Sequence, residues 1–128
     1  MATRSQARML GFISGGAIAY GKAVKIGADR KHVVVVAAAT DKAIGICQTN
    51  DIDAAELSLE IAIPGGGAKA KLGGTVAAGD MLGMDTSGFL VKVATAGDRV
   101  IAMAMEDGIS GDVIGVEVMA HKAESAQA

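Results

Sequence analysis

Tryptophan is absent from this sequence, and Phe12, Tyr20 and Phe89 are its whole aromatic complement. Proteins that bind single-stranded nucleic acid stack bases on rings, and duplex binders present a basic field. Here 12 basic residues stand against 14 acidic ones and the formal net charge is −2, so nucleic acid is not an expected partner. A single cysteine, Cys47, excludes an internal disulfide and leaves the redox compartment open. No apolar run approaches the roughly 18 to 20 residues that span a bilayer as a helix. Every hydrophobic stretch is cut by glycine or charge, and no membrane partner is expected. Residues 1–19 carry two arginines, an apolar stretch and Ala17-Ile18-Ala19, a faint likeness to a signal peptide. Ser14, Gly15 and Gly16 break the apolar part, so no cleaved leader is expected there.

What the chain has in excess is small residues: 25 alanines and 18 glycines among 128 positions. A core made with them must be thin layers of Val, Ile, Leu, Met and Ala. The length is that of one domain, which buries roughly two thirds of its unfolded surface and folds without metal or disulfide. Short apolar runs at 23–26, 32–37, 43–48, 57–63, 68–72, 81–84, 89–93, 100–106 and 113–119 alternate with turn residues such as Gly27-Ala28-Asp29, Pro64-Gly65-Gly66-Gly67 and Asp85-Thr86-Ser87-Gly88. Strands of this length and spacing predict an all-β fold, a small β-barrel or β-sandwich. Only 120–128 and 53–57 offer themselves as short helices.

The chain also repeats itself. Displaced by 58 positions, Gly15 to Gly21 lies over Gly73 to Gly79, and Val24 lies over Leu82. At a displacement of 57 the match runs on, with Ile44 over Ile101, Leu57 over Ile114, Leu59 over Val116, Glu60 over Glu117 and Ile61 over Val118. The expected organisation is an extended N-terminal arm over 1–14, one β domain over 15–119 and a tail over 120–128. The domain comprises halves 15–61 and 73–118 joined by a hairpin region at 62–72. Neither half has enough core to stand alone, so the two should share one.

Several motifs invite a chemical reading. Gly16 to Lys22 spells G-x-x-x-x-G-K, but Ala23 follows where a phosphate-binding loop needs Ser or Thr for magnesium, and a strand follows where it needs a helix. The second copy keeps Gly74 and Gly79 at the same spacing and puts Asp80 in place of the lysine. Gly16, Gly21, Gly74 and Gly79 are therefore expected to serve turns. Pro64 to Gly67 ahead of Lys69 and Lys71 could cradle an anion, and more simply makes a hairpin tip. Asp51, Asp53 and Glu56 have oxygen ligands suited to a hard cation, but loop carboxylates are usually solvated. His32 and His121 have no acid or cysteine at ligand spacing, so neither a zinc site nor a catalytic triad is supported. Cys47 reads as an inert buried thiol, and Met81, Met84, Met103 and Met105 read as packing. No catalytic residue, cofactor or metal is expected, and the chain is not expected to be an enzyme.

Residues 1–28 carry Arg4, Arg8, Lys22 and Lys25 and no acid, a charge of +4 against −6 for the remainder. A basic arm ahead of an acidic body favours docking to an acidic protein surface or to another copy. Thr3, Arg4, Arg8, Met9, Leu10 and Phe12 are the candidate contact residues, with the arginines pairing with carboxylates and the apolar residues adding contact or joining a neighbouring sheet.

The segments Gly16 to Lys25, Ala43 to Ile46, Val76 to Leu82, Ile101 to Ala104 and Gly111 to Val116, in that order and spacing, resemble the small decoration, or cement, proteins of tailed bacteriophage heads. The likeness covers roughly residues 10–119. It implies a β-clip-like or β-tulip-like module that binds the outer surface of the assembled head, touches the major capsid protein, self-associates as a homotrimer and stabilises the shell, with a location on the virion. The alternatives are a small β-barrel module for a small ligand, and a viral scaffold or connector protein.

Overall fold

In the computed structural model, described here for residues 9–27, 32–49, 54–93 and 98–122, the regular secondary structure is ten strands with no helix among those residues. They are β1 (Met9–Ser14), β2 (Ala23–Ile26), β3 (His32–Val35), β4 (Ala43–Cys47), β5 (Ser58–Ala62), β6 (Gly67–Lys71), β7 (Met81–Met84), β8 (Leu90–Lys92), β9 (Arg99–Ala104) and β10 (Val113–Lys122). The first five close into a barrel in the order β1-β3-β2-β4-β5, and the last five form a sheet in the order β6-β10-β9-β7-β8. The all-β reading holds. β5 shows why: Leu59 and Ile61 turn inward while Ser58 and Glu60 stay exposed, the alternation of a strand with one face in a core.

Where they are described, the two segments that offered themselves as short helices are not helical. Ala54 to Glu56 is a turn, in which Glu56 takes a φ of 68°. Residues 120–122 continue β10, and 123–128 lie outside the described residues. β-pairing decides both, because the Glu56 N–H bonds to the Ser14 carbonyl at 2.8 Å and β10 stays paired with β9 as far as Lys122. Residues 9–14, assigned to the arm from sequence, are a barrel strand. β1 pairs antiparallel with β5 from Met9 opposite Ala62 to Ile13 opposite Ser58, and parallel with β3 through Ile13 and Ser14.

The two copies fold alike, strand for strand. Val24 opposite Val35 is matched by Leu82 opposite Lys92, and Ala23 opposite Ile46 by Met81 opposite Met103. The parallel pairing of Ser14 with Val33 recurs as the bridge between Leu72 and Leu90. Each copy thus begins one strand earlier than the glycine pairs suggest, since β6, within the supposed linker, is the counterpart of β1.

The last strands correct the alignment. The Glu56 N–H bonds to Ser14, and the equivalent bond to Leu72 comes from Gly111, so the displacement here is 55 and not 57. Leu59 therefore lies over Ile114 rather than Val116, and both sit opposite equivalent residues, Phe12 and Ala70. A slip of two residues leaves every side chain on its own face of the strand, so apolar still falls on apolar and the sequence pattern cannot register the change.

Burial joins the copies. The larger apolar cluster draws Ala23, Val36, Ala43, Ile46 and Ala62 from the first copy against Leu72, Leu82, Met84, Leu90, Ile101 and Val116 from the second. A smaller cluster of Ile18, Val24, Val33, Cys47, Leu59 and Ile61 fills the barrel. Backbone bonds cross the same seam, from Lys71 N–H to the Gly21 carbonyl at 3.0 Å and from Ala23 N–H to the Gly88 carbonyl at 2.9 Å.

Candidate interaction surface

β1 brings part of the candidate contact set to the surface. Met9 and Leu10 are 36% and 49% exposed, whereas Phe12 is half-buried and packs against the cluster inside the barrel. Thr3, Arg4 and Arg8 lie outside the described residues. Beside the exposed end of β1, an open cleft of about 530 Å³ is lined by Gly11, Phe12, Ile13, Thr49, Ser58, Leu59 and Glu60. Because Met9 to Phe12 supply four of the β1–β5 pairs, removing 2–12 would open the barrel itself. Residues 2–8 precede β1.

The glycine pairs divide. Gly21 and Gly79 have φ of +83° and +92°, the region where a Cβ is penalised, and their N–H groups make equivalent bonds to the Cys47 and Ala104 carbonyls. Gly16 and Gly74 have no positive φ, and a Cβ at Gly16 would meet nothing within 4 Å. Lys22 leads into β2, not a helix.

The other motifs are used structurally. The Gly65 N–H bonds to the Val118 carbonyl, and the Val118 N–H returns a bond to Gly66, which pins the Pro64–Gly67 turn onto β10. Asp107 and Asp112 each accept a bond from a backbone amide, of Ala78 and Ile109. The His32 ring Nε2 lies 2.8 Å from the Glu56 carboxylate, while Asp51 and Asp53 lie outside the described residues. No group of three or more His, Cys, Asp or Glu suited to a metal occurs among the described residues. Cys47 is fully buried, with its Sγ 3.5 Å from the Thr49 carbonyl. The Asp41 carboxyl is held below the usual carboxylate range, chiefly by the Ala37 N–H at 2.7 Å and then by the Lys25 ammonium at 3.0 Å.

Three exposed apolar residues escape the sequence reading. Met105 is 57% exposed rather than packed, and Ile109, in the same β9–β10 loop, and Val113, the first residue of β10, follow at 61% and 45%. At the equivalent places the first copy has Gln48, Ala54 and Ser58. Comparing the copies would have marked them, had the slip of two been visible. A further cluster also emerges at the seam, where the Lys22 and Lys71 ammonium groups lie 4.6 and 5.8 Å from the centroid of the Phe89 ring.

Neither a sequence-defined family nor a curated protein matches this chain. Among solved structures, it superposes on the N base of the head fiber protein gp8.5 of bacteriophage phi29 with a TM-score of 0.69 and 15% identity, over 94% of this chain and 99% of that one. At that identity the likeness is one of fold, and it spans both copies of the repeat. The architecture is thus one found on a bacteriophage head.

Proposed function

We propose that this chain is a structural protein of a bacteriophage head, and within that role a decoration protein that binds the outside of the assembled shell and stabilises it. The observation that carries the proposal is the superposition on the phi29 head-fiber base over nearly the whole of both chains. Supporting it is the build of the body, with two β units locked through one shared core and apolar side chains displayed on β1 and around the β9–β10 loop. A shell clamp works through many modest contacts spread over several subunits, where multivalency multiplies weak affinities. The basic segment 2–8 adds charge-steered contact to an acidic surface of the major capsid protein, and a homotrimer multiplies each contact by three.

The test is to incubate the purified chain with isolated heads that lack it, sediment them through a gradient and image the pellet by electron cryomicroscopy. Extra density on the outer surface, repeated around the shell at local three-fold positions, is the expected result. Failure to co-sediment at saturating protein, or density confined to the interior or to one vertex, overturns the reading.

A further inference from the structure

At the seam between the two copies, Lys22 from the end of the Gly21 turn and Lys71 from the end of β6 converge on one ring, that of Phe89. All three residues are half-buried, and the backbone beneath them is tied by the two seam bonds, Lys71 N–H to Gly21 and Ala23 N–H to Gly88. The ring distances of 4.6 and 5.8 Å keep the two ammonium groups within about 10 Å of each other. No carboxylate of a described residue lies at ion-pair distance from either. Two ammonium groups gathered around one aromatic ring, with attraction to the ring as their shared contact, form a pre-positioned cationic pair.

The backbone around them decides which anion fits. A phosphate cradle is built from free N–H groups, yet here the amides of Gly21, Lys22, Ala23, Lys71, Leu72 and Phe89 all donate already to protein oxygens. What is left to recognise an anion is the two ammonium groups, each able to take one carboxylate. Acidic side chains two apart on an extended strand are separated by roughly 6.5 Å, a spacing that the lysine pair can bridge. From this arrangement we infer that Lys22, Lys71 and Phe89 form a docking site for an acidic protein segment with carboxylates at alternate positions. The second copy places Asp80 where the first has Lys22, so the internal duplication does not reproduce the site. The inference goes beyond the head role, since it names the chemistry of the partner segment and not the partner.

The experiment uses the whole chain, free of particles, so its failure leaves the head reading untouched. A short peptide alternating glutamate and valine is titrated at low salt while the Phe89 ring signals are followed by NMR, with inorganic phosphate as the second probe. The peptide should move the Phe89 signals saturably, and raising the salt from about 20 to about 200 mM should weaken it. Lys22→Gln with Lys71→Gln should weaken binding about tenfold, as expected for loss of two modest ion pairs. Lys22→Arg with Lys71→Arg should retain it, and exposed Lys42→Gln should leave it unchanged. If the glutamine pair fails to fold, each single Lys→Gln variant is titrated in its place and should show an intermediate loss. Unmoved Phe89 signals at millimolar peptide, equal binding by the glutamine variants, or a larger response to phosphate than to peptide would each overturn the assignment.

Discussion

Leu82 tests whether the two copies stand or fall together. Its side chain is fully buried in the cluster that also holds Ala23, Val36 and Ile46 of the first copy. Leu82→Ala removes three carbons and leaves a cavity in a layer with few large neighbours able to collapse into it, at a cost of about 3 kcal/mol. For a chain of this length each kcal/mol lowers the melting temperature by about 4 °C, so the variant should melt about 12 °C lower. Calorimetry should show one transition before and after, with matching calorimetric and van't Hoff enthalpies. Hydrogen exchange supplies a sharper reading, because the Cys47 and Ala104 amides are equivalent, donating to the Lys22 and Asp80 carbonyls at 3.0 and 2.9 Å. If the shared core governs both, a loss of about 3 kcal/mol should speed exchange at the two sites alike, by about 150-fold. Faster exchange at Ala104 with none at Cys47, or two separate calorimetric peaks, would refute the shared core.

The same internal comparison separates two glycines. A methyl group at Gly79 faces open space, so Gly79→Ala should cost only the backbone strain of about 1 to 2 kcal/mol, while at Gly21 it would also meet the Lys71 nitrogen at 2.8 Å. Gly21→Ala should therefore be the more destabilising in urea titrations; equal losses would remove the distinction. Asp41 has a folded pKa below its unfolded value, so its contribution is full above about pH 4 and fades as pH falls through the depressed value. Asp41→Asn should flatten the acid limb of a midpoint-against-pH curve, and an unchanged limb would show that other carboxylates carry it. Deleting 2–8 should keep the melting transition and weaken shell binding, whereas deleting 2–12 should abolish cooperative melting through loss of β1. A truncated 2–8 variant that decorates heads as well as the full chain would take the segment out of the interface.

Much of the sheet was legible because alternation and turn chemistry are local. β2 and β7 match their sequence-predicted ranges, and β5 reads directly from Leu59 and Ile61. β1 was not legible, since Met9 to Ser14 has no turn signal before it and Gly11 weakens its strand pattern; its membership of the barrel depends on β5, more than 40 positions away. β6 was legible as a strand over 68–72, but the glycines before it put it in a linker and not at the head of the second copy. The candidate surface was harder still. Phe12 looked available because an isolated segment gives no sign of what it packs against, and the Lys22–Lys71–Phe89 cluster unites three distant positions through pairings that local pattern cannot supply.

Duplication explains where the remaining information lies. Each copy must keep its inward face, and the equivalent residues Leu59 and Ile114 are accordingly buried in both. Outward positions carry no such constraint. It is there that the copies diverge: Glu56 holds a positive φ where the second copy has glycine, Lys22 faces Asp80, and Gln48, Ala54 and Ser58 give way to Met105, Ile109 and Val113. Exposing three large apolar side chains along the β9–β10 loop and the start of β10 brings no packing gain to the isolated chain, and such patches mark surfaces that other proteins cover. The contacts that set this chain's role should therefore map to positions where the two copies disagree, and substitutions at positions where they agree should act through stability alone.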